Sequence, residues 1–298
     1  MKKVFEVTKS LLHCSFQGER RIGFRKFGIP PSGPMDMLAY EKACILAGVR
    51  IGEPLIEIIG GNFSLNILED CEIAVTGADL NHQLDGEKFP LWKTIRVYKG
   101  QTITFGNPVN GMIAYLALVG GYQTNWYLGS PSTYTKGKLG KILTKGTMIE
   151  QKSSMNTDYK LWYAKTLVNS QRSLCPSVIP TYMPEIEVRY WPSYHSLNFS
   201  EEQLQTFQNQ QYTFKTGNRT GYLFDGNPIY LEDGHDIPSE ATEFGTIQLP
   251  PNGKPIILMS DAQTIGGYVT LGKIDPADLW KIAQLKPGGK VSFHEQQI

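Results

Sequence analysis

A surplus of charge of either sign is what this sequence lacks most plainly. Its 298 residues carry 29 basic and 28 acidic side chains, a formal net charge of +1. Nucleic-acid binders present a basic field or stripe, so the balance argues against that class of partner. Long apolar runs are missing as well. No stretch approaches the roughly 20 residues that a membrane helix needs, so no membrane association is expected. At the N-terminus Lys2 and Lys3 could open a secretory signal, but Glu6 and Lys9 break the apolar run and no small-residue cleavage site follows. Leu11-Leu12-His13-Cys14 places a bulky polar histidine before the cysteine, which does not suit a lipoprotein box. The expected compartment is the cytoplasm.

Motifs for several chemistries are absent too. Cys14, Cys44, Cys71 and Cys175 form no CxxC pair, and the five histidines form no HExxH. That disfavours a zinc knuckle, a thioredoxin-like site and a metalloprotease site, and no metal is expected. Gly129-Ser130-Pro131-Ser132 is not the GxSxG of a nucleophile elbow, and no GxxxxGK[ST] loop is present for a nucleotide.

What the sequence has is strands. Hydrophobic residues make up 41% and aromatics 11%, enough for a sizeable core, and the length allows about two domains at roughly 100–200 residues each. Phe63 to Ile67 alternates with period two, and Cys71 to Thr76 and Met112 to Val119 are compact apolar runs closed by glycine. Ile95 to Tyr98 and Thr102 to Phe105 flank Lys99-Gly100 and read as a hairpin. Gly245 to Leu249, Pro255 to Met259 and Lys290 to Phe293 repeat the style later in the chain. Helices are few: Met35 to Ala47, Ser200 to Asn209, and Pro276 to Leu285 with Asp275 as its N-cap. Lys152 to Pro184, rich in proline toward its end, reads as a connection. The two halves share a faint order of motifs. Arg21 to Phe24 matches Arg219 to Tyr222, Glu72 to Asp79 matches Ile256 to Asp261, and Lys99 to Phe105 matches Gly288 to Phe293. This order suggests a degenerate duplication of one β-rich domain.

Two loops carry chemistry. In Gly23 to Asp36, GFRKFGIPPSGPMD, glycines and prolines fix an unusual backbone path that would hold Ser32 and Asp36. The same features describe a rigid turn into a helix with Asp36 at its start. In Met259 to Gly272, MSDAQTIGGYVTLG, Asp261, Gln263 and Thr264 follow an apolar strand and precede a diglycine. Asp261 could act as acid or base, and Gln263 could read an amide or ureido group through its paired donor and acceptor. The alternative is a loop whose Asp and Thr cap local backbone groups.

These residues resemble a known family. The first loop, Glu57 with Gly60-Gly61, AVTGAD (Ala74 to Asp79), AYLALVGGY (Ala114 to Tyr122) and LGSPST (Leu128 to Thr133) are similar to the KipA family, also called allophanate hydrolase subunit 2 or the C component of 5-oxoprolinase. NRTG (Asn218 to Gly221), Gly245 to Tyr268 and Ala283 to Phe293 extend the resemblance over nearly the whole chain. It implies a mainly β fold of two cyclophilin-like β-barrel lobes with a few short helices. The first lobe and the connection would take residues 1–184, the second 185–298. It also implies a cytoplasmic, heteromeric, ATP-dependent hydrolase that opens 5-oxoproline to glutamate. The partners would be a KipI-like protein (the B component of 5-oxoprolinase) and a LamB/YcsF-like protein (the A component), and the complex would use ATP. One alternative is a carboxyltransferase component of a urea carboxylase-like system using biotin. Another is a non-catalytic regulator that binds a KipI-like kinase inhibitor. On the leading reading Asp36 and Asp261 are catalytic, and Arg25, Ser32, Arg219, Gln263, Thr264 and Tyr268 bind substrate. The chain departs from the family pattern at Cys44, Val49, Pro131 and Leu223. The last two stand where the family has arginine, whose bidentate fork neither can replace.

Overall fold

The computed structural model describes residues 2–153, 172–231 and 236–296. The chain is mainly β with few, short helices. It divides into two compact units. Unit 1 comprises Met1–Arg21 and Asp36–Tyr182; unit 2 comprises Ile22–Met35 and Met183–Ile298. The Pro-Gly loop therefore groups with the second unit, although both of its sequence neighbours lie in the first.

Unit 1 contains two sheets. One has seven strands in the order Tyr122–Gln123, Met148–Gln151, Lys2–Ser10, Phe63–Ile67, Thr102–Phe105, Gln83–Leu84 and Glu87–Lys88. The other has five, in the order Cys14–Gln17, Leu55–Ile59, Asn110–Leu118, Cys71–Asp79 and Thr94–Val97. Asn110–Leu118 is central and carries apolar residues on both faces, as a strand covered on both sides must. The helix Met37–Ala47 packs on it and on Cys71–Asp79. Gly77 permits this close pairing. Its φ is +85°, and a Cβ there would lie 2.3 Å from the Ile113 carbonyl oxygen, beside a register shift in the partner strand.

The hairpin expected around Lys99-Gly100 does not form. A tight turn is present, with Gly100 at φ +90° and the Gln101 N–H donating to Tyr98 O at 3.2 Å. But Thr94–Val97 pairs with Cys71–Asp79 in one sheet, and Thr102–Phe105 pairs with Phe63–Ile67 in the other. Val97 and Ile103 are both fully buried. Turn residues report a change of direction, not whether the strands that follow will pair; here burial carries the chain from one sheet to the other.

Unit 2 is a barrel. Its strands run Glu185–Pro192, Lys290–Glu295, Tyr212–Gly217, Gly221–Asp225, Ile256–Leu258, Thr246–Leu249 and Ile265–Ile274. Ile265–Ile274 then pairs back on Glu185–Pro192 and closes the ring, which leaves no free edge between these strands. Asp236–Ala241 adds to the outside of Ile265–Ile274. Aromatic side chains fill the core: the rings of Phe207 and Phe293 stack at 4.7 Å and those of Phe214 and Tyr222 at 4.4 Å. Phe207 comes from the helix Glu201–Gln208, whose N-cap Ser200 accepts from the Gln203 N–H, as the sequence implied.

The last helix is shorter than expected. It spans Leu279–Ala283, and Asp275 instead closes the preceding turn by accepting from the Ala277 N–H at 2.9 Å. Asp278 explains the late start. Its buried carboxylate accepts from the Arg189 main-chain N–H at 2.9 Å and Nε at 2.8 Å, and pairs with Lys281 at 2.8 Å. Burial alone would raise its pKa. The bonds from Arg189 and Lys281 outweigh burial and lower it from 3.8 to about 2. A folded-state pKa below the unfolded one contributes stability above about pH 4 that is lost as pH falls towards 2. Asp278→Asn is therefore expected to be less stable than the wild type in thermal melts at pH 5, with the gap closing near pH 2. An equal gap at both pH values contradicts the assignment.

No helix among the described residues is long and apolar enough to cross a membrane. The four cysteines are free thiols; Cys44, in the first helix, is pushed up to about 12, chiefly by burial.

Candidate functional site

Seven of the eight residues singled out in the sequence belong to unit 2; Asp36 belongs to unit 1. In unit 2 the two candidate loops are joined by one side chain. The Arg219 guanidinium, 4% exposed, donates from Nε to Asp261 Oδ2 at 2.9 Å and from Nη2 to Asp261 Oδ1 at 3.0 Å. Nη2 also donates to the Gly33 carbonyl at 2.8 Å. The Asp261 N–H closes the link by donating to Arg219 O at 2.7 Å. This is the fork-to-carboxylate geometry that only arginine supplies. Through these bonds Arg219 ties the Asp261 loop to the Pro-Gly loop.

Ser32 precedes that docked carbonyl. It is fully buried and holds a left-handed backbone, φ +55°, where a non-glycine residue is unusual. Gly33 follows at φ +93°. Arg25, from the same segment, donates to the Thr242 carbonyl and lies 3.6 Å from Glu243. Thr242 holds the second loop in turn. Its N–H donates to Thr264 O at 3.1 Å and its Oγ1 to Gln263 O at 2.6 Å. Arg25, Gln263 and Thr264 are thus brought together through Thr242. Gln263 is exposed, and its Nε2 donates to Gln248 Oε1 at 3.2 Å. Tyr268 is 40% exposed on the strand Ile265–Ile274.

In unit 1 Asp36 caps the helix Met37–Ala47. Oδ1 accepts from the Ala39 N–H at 2.9 Å and Oδ2 from the Tyr182 hydroxyl at 3.2 Å. The Asp36 N–H donates to the Tyr115 hydroxyl at 3.0 Å, which donates to Glu57 Oε2 at 2.7 Å. Burial, then the Glu57 and Asp36 carboxylates, pushes the Tyr115 hydroxyl well up, so it stays protonated and donates. Asp36, Glu57 and Tyr115 are fully buried.

Glu57, Tyr115, Tyr182, Thr242, Glu243 and Gln248 belong to these networks but were not singled out as functional from the sequence. Gln248 left a trace, as a long polar residue inside the apolar run Thr246-Ile247-Gln248-Leu249. Tyr115 lies in the AYLALVGGY run that carries the resemblance but reads there as core, and Tyr182 left no trace, because a tyrosine in proline-rich sequence reads as core or surface alike. Among the departures from the family pattern, Leu223 is 45% exposed on a barrel strand, and Pro131 packs against Gly18. Among the described residues no three His, Cys, Asp or Glu side chains converge as a metal site would require.

Fold and site together describe a mainly β protein whose closed barrel presents two loops clamped by a buried Arg–Asp pair. Residues 27–295 match the model of the carboxyltransferase domain, subdomain A and B, and the chain belongs to that family. It is 32% identical to the C component of the 5-oxoprolinase of Haemophilus influenzae, over 94% of this chain and 87% of that protein. It is 29% identical to a urea amidolyase of Saccharomyces cerevisiae, over 97% of this chain but only 16% of that protein. The crystal structure of the Kluyveromyces lactis urea carboxylase superposes with a TM-score of 0.86 at 25% identity, covering 100% of this chain and 28% of that one.

Proposed function

We propose that this chain is the C component of a heteromeric, ATP-dependent 5-oxoprolinase. With a KipI-like protein and a LamB/YcsF-like protein it would add water across the lactam bond of 5-oxoproline and release glutamate. The observation that carries this reading is the near end-to-end match to the Haemophilus influenzae protein, against the small fraction of the urea amidolyase that the chain spans. ATP is assigned to the partners, since this sequence holds no phosphate-binding loop. The site geometry supports orienting roles for both aspartates. Asp261 and Asp36 each have both carboxylate oxygens engaged, the first by Arg219, the second by Ala39 and Tyr182. Gln263, Thr264, Ser32 and Tyr268 are the proposed substrate contacts, with Arg25 and Arg219 holding the loops that carry them.

A second reading, a biotin-using carboxyltransferase component, is supported by the whole-chain likeness to the urea carboxylase structure. The two separate in one assay. The chain is combined with its KipI-like and LamB/YcsF-like partners, and ATP hydrolysis is followed with 5-oxoproline or with urea, biotin and bicarbonate. ATP hydrolysis and glutamate release that need 5-oxoproline and all three chains support the first reading. No lactam turnover, with carboxylation of urea once a biotin carboxylase and carrier are added, supports the second.

A further inference from the structure

Thr242 is 4% exposed and engages each of its polar groups with a different neighbour. Oγ1 donates to the Gln263 carbonyl at 2.6 Å, the main-chain N–H donates to the Thr264 carbonyl at 3.1 Å, and the main-chain carbonyl accepts from Arg25 Nη2. A peptide unit is planar, so holding its carbonyl holds the whole plane. One residue that grips two consecutive carbonyls therefore sets the path of the loop between them. The bond from Arg25 carries this tie on to the Pro-Gly segment. Arg219 makes another such tie, between Asp261 and the Gly33 carbonyl. The two segments are thus joined in two places, and the Thr242 tie runs through Gln263 and Thr264.

The Thr242 methyl helps to aim the hydroxyl. It packs on Gly266, where an added Cβ would stand 3.1 Å from it. Threonine is branched at Cβ and stiff at χ1, so a methyl held on Gly266 directs Oγ1 towards Gln263. Gln248 meets Gly266 too, through an Nε2 that has no hydrogen-bond partner among the described residues, and its Oε1 accepts from Gln263 Nε2 at 3.2 Å. The stretch held in this way is open to solvent: Gln263 is exposed, and Ile265 and Tyr268 are 60% and 40% exposed. Thr242 itself is closed off, so it acts through the main chain it grips and not by touching a ligand.

We infer that Thr242 is a positioning residue, whose Oγ1 bond to the Gln263 carbonyl orients the exposed Gln263 side chain for substrate. The inference rests on the reading of Gln263 as a substrate contact, and it adds a residue that no motif in the sequence marks.

The test compares Thr242→Ser, Thr242→Ala and Thr242→Val with the wild type. Serine and alanine both lose the methyl and differ only in the oxygen. Valine keeps the methyl and sets a carbon where Oγ1 was; a C–H···O contact needs about 3.3–3.6 Å, so the Gln263 carbonyl must move away. The assigned side-chain NH2 signals of Gln263 are followed by NMR in the full chain, and kcat and KM for 5-oxoproline are measured in the reconstituted complex. In the alanine and valine variants the Gln263 signals should move and KM should rise about 10-fold, with kcat changed less than about threefold. In the serine variant signals and KM should stay near the wild type. Gln263 signals and KM that stay at wild-type values in the alanine variant overturn the inference, whatever its melting temperature does. So do equal losses in the serine and alanine variants, which would assign the effect to the methyl and not to the oxygen. A valine variant that does not fold leaves the serine–alanine pair to decide. If the wild-type complex shows no turnover of 5-oxoproline, the hydrolase reading falls, and the NMR comparison alone decides whether Thr242 orients Gln263.

Discussion

Replacing Arg219 by methionine lowers the stability of unit 2 by about 3–5 kcal/mol, because it leaves the Asp261 carboxylate buried without its counter-charge. The magnitude follows from geometry. Both side chains are at most a tenth exposed, and the fork makes two bonds to the carboxylate and a third to the Gly33 carbonyl. An exposed pair of the same residues would be worth about 1 kcal/mol or less. Adding Asp261→Leu to the same chain is expected to recover much of the loss, since a buried pair replaced on both sides by apolar groups is often tolerated. Denaturant unfolding of the two single variants and the double variant supplies the cycle. If the losses of the singles simply add in the double, the clamp is not the coupled unit described here. The recovered double variant should still lack turnover, because the Asp261 loop is no longer fixed against the Pro-Gly loop.

Tyr115→Phe is the second large effect, about 2–3 kcal/mol in unit 1. The hydroxyl accepts from the Asp36 N–H and donates to Glu57, so its loss takes an acceptor from a buried N–H and a donor from a buried carboxylate. Tyr182→Phe removes one bond to Asp36 and should cost less. Urea unfolding measures both. Equal effects would mean that the buried Glu57 contact carries no extra weight.

The sequence made the strands legible where one residue pattern meets one environment. Phe63 to Ile67 alternates because Phe63, Leu65 and Ile67 face the core, and Ile113 to Leu118 is continuously apolar because both of its faces are buried. The helix caps at Asp36 and Ser200 were also legible, since capping is a local property of the chain. Long-range choices were not. Nothing near Gly100 tells a hairpin from a crossing between sheets, and nothing in Ile22–Met35 shows that it joins the later half. At the site, the pattern exposed Arg219 and Asp261 as candidates but not that they bind each other across 42 positions. Gln248 was visible only as a polar residue out of place in an apolar run. Its unmet amide is a fact of packing, which sequence alone does not hold.

The central claim is that this chain completes a lactam-opening enzyme. The most direct measurement is 5-oxoproline-dependent ATP hydrolysis by the KipI-like and LamB/YcsF-like partners with and without this chain, alongside an Arg219→Met chain. The account predicts coupled glutamate release only when the wild-type chain is present, and its loss with Arg219→Met. Full coupled activity in the absence of this chain would contradict it.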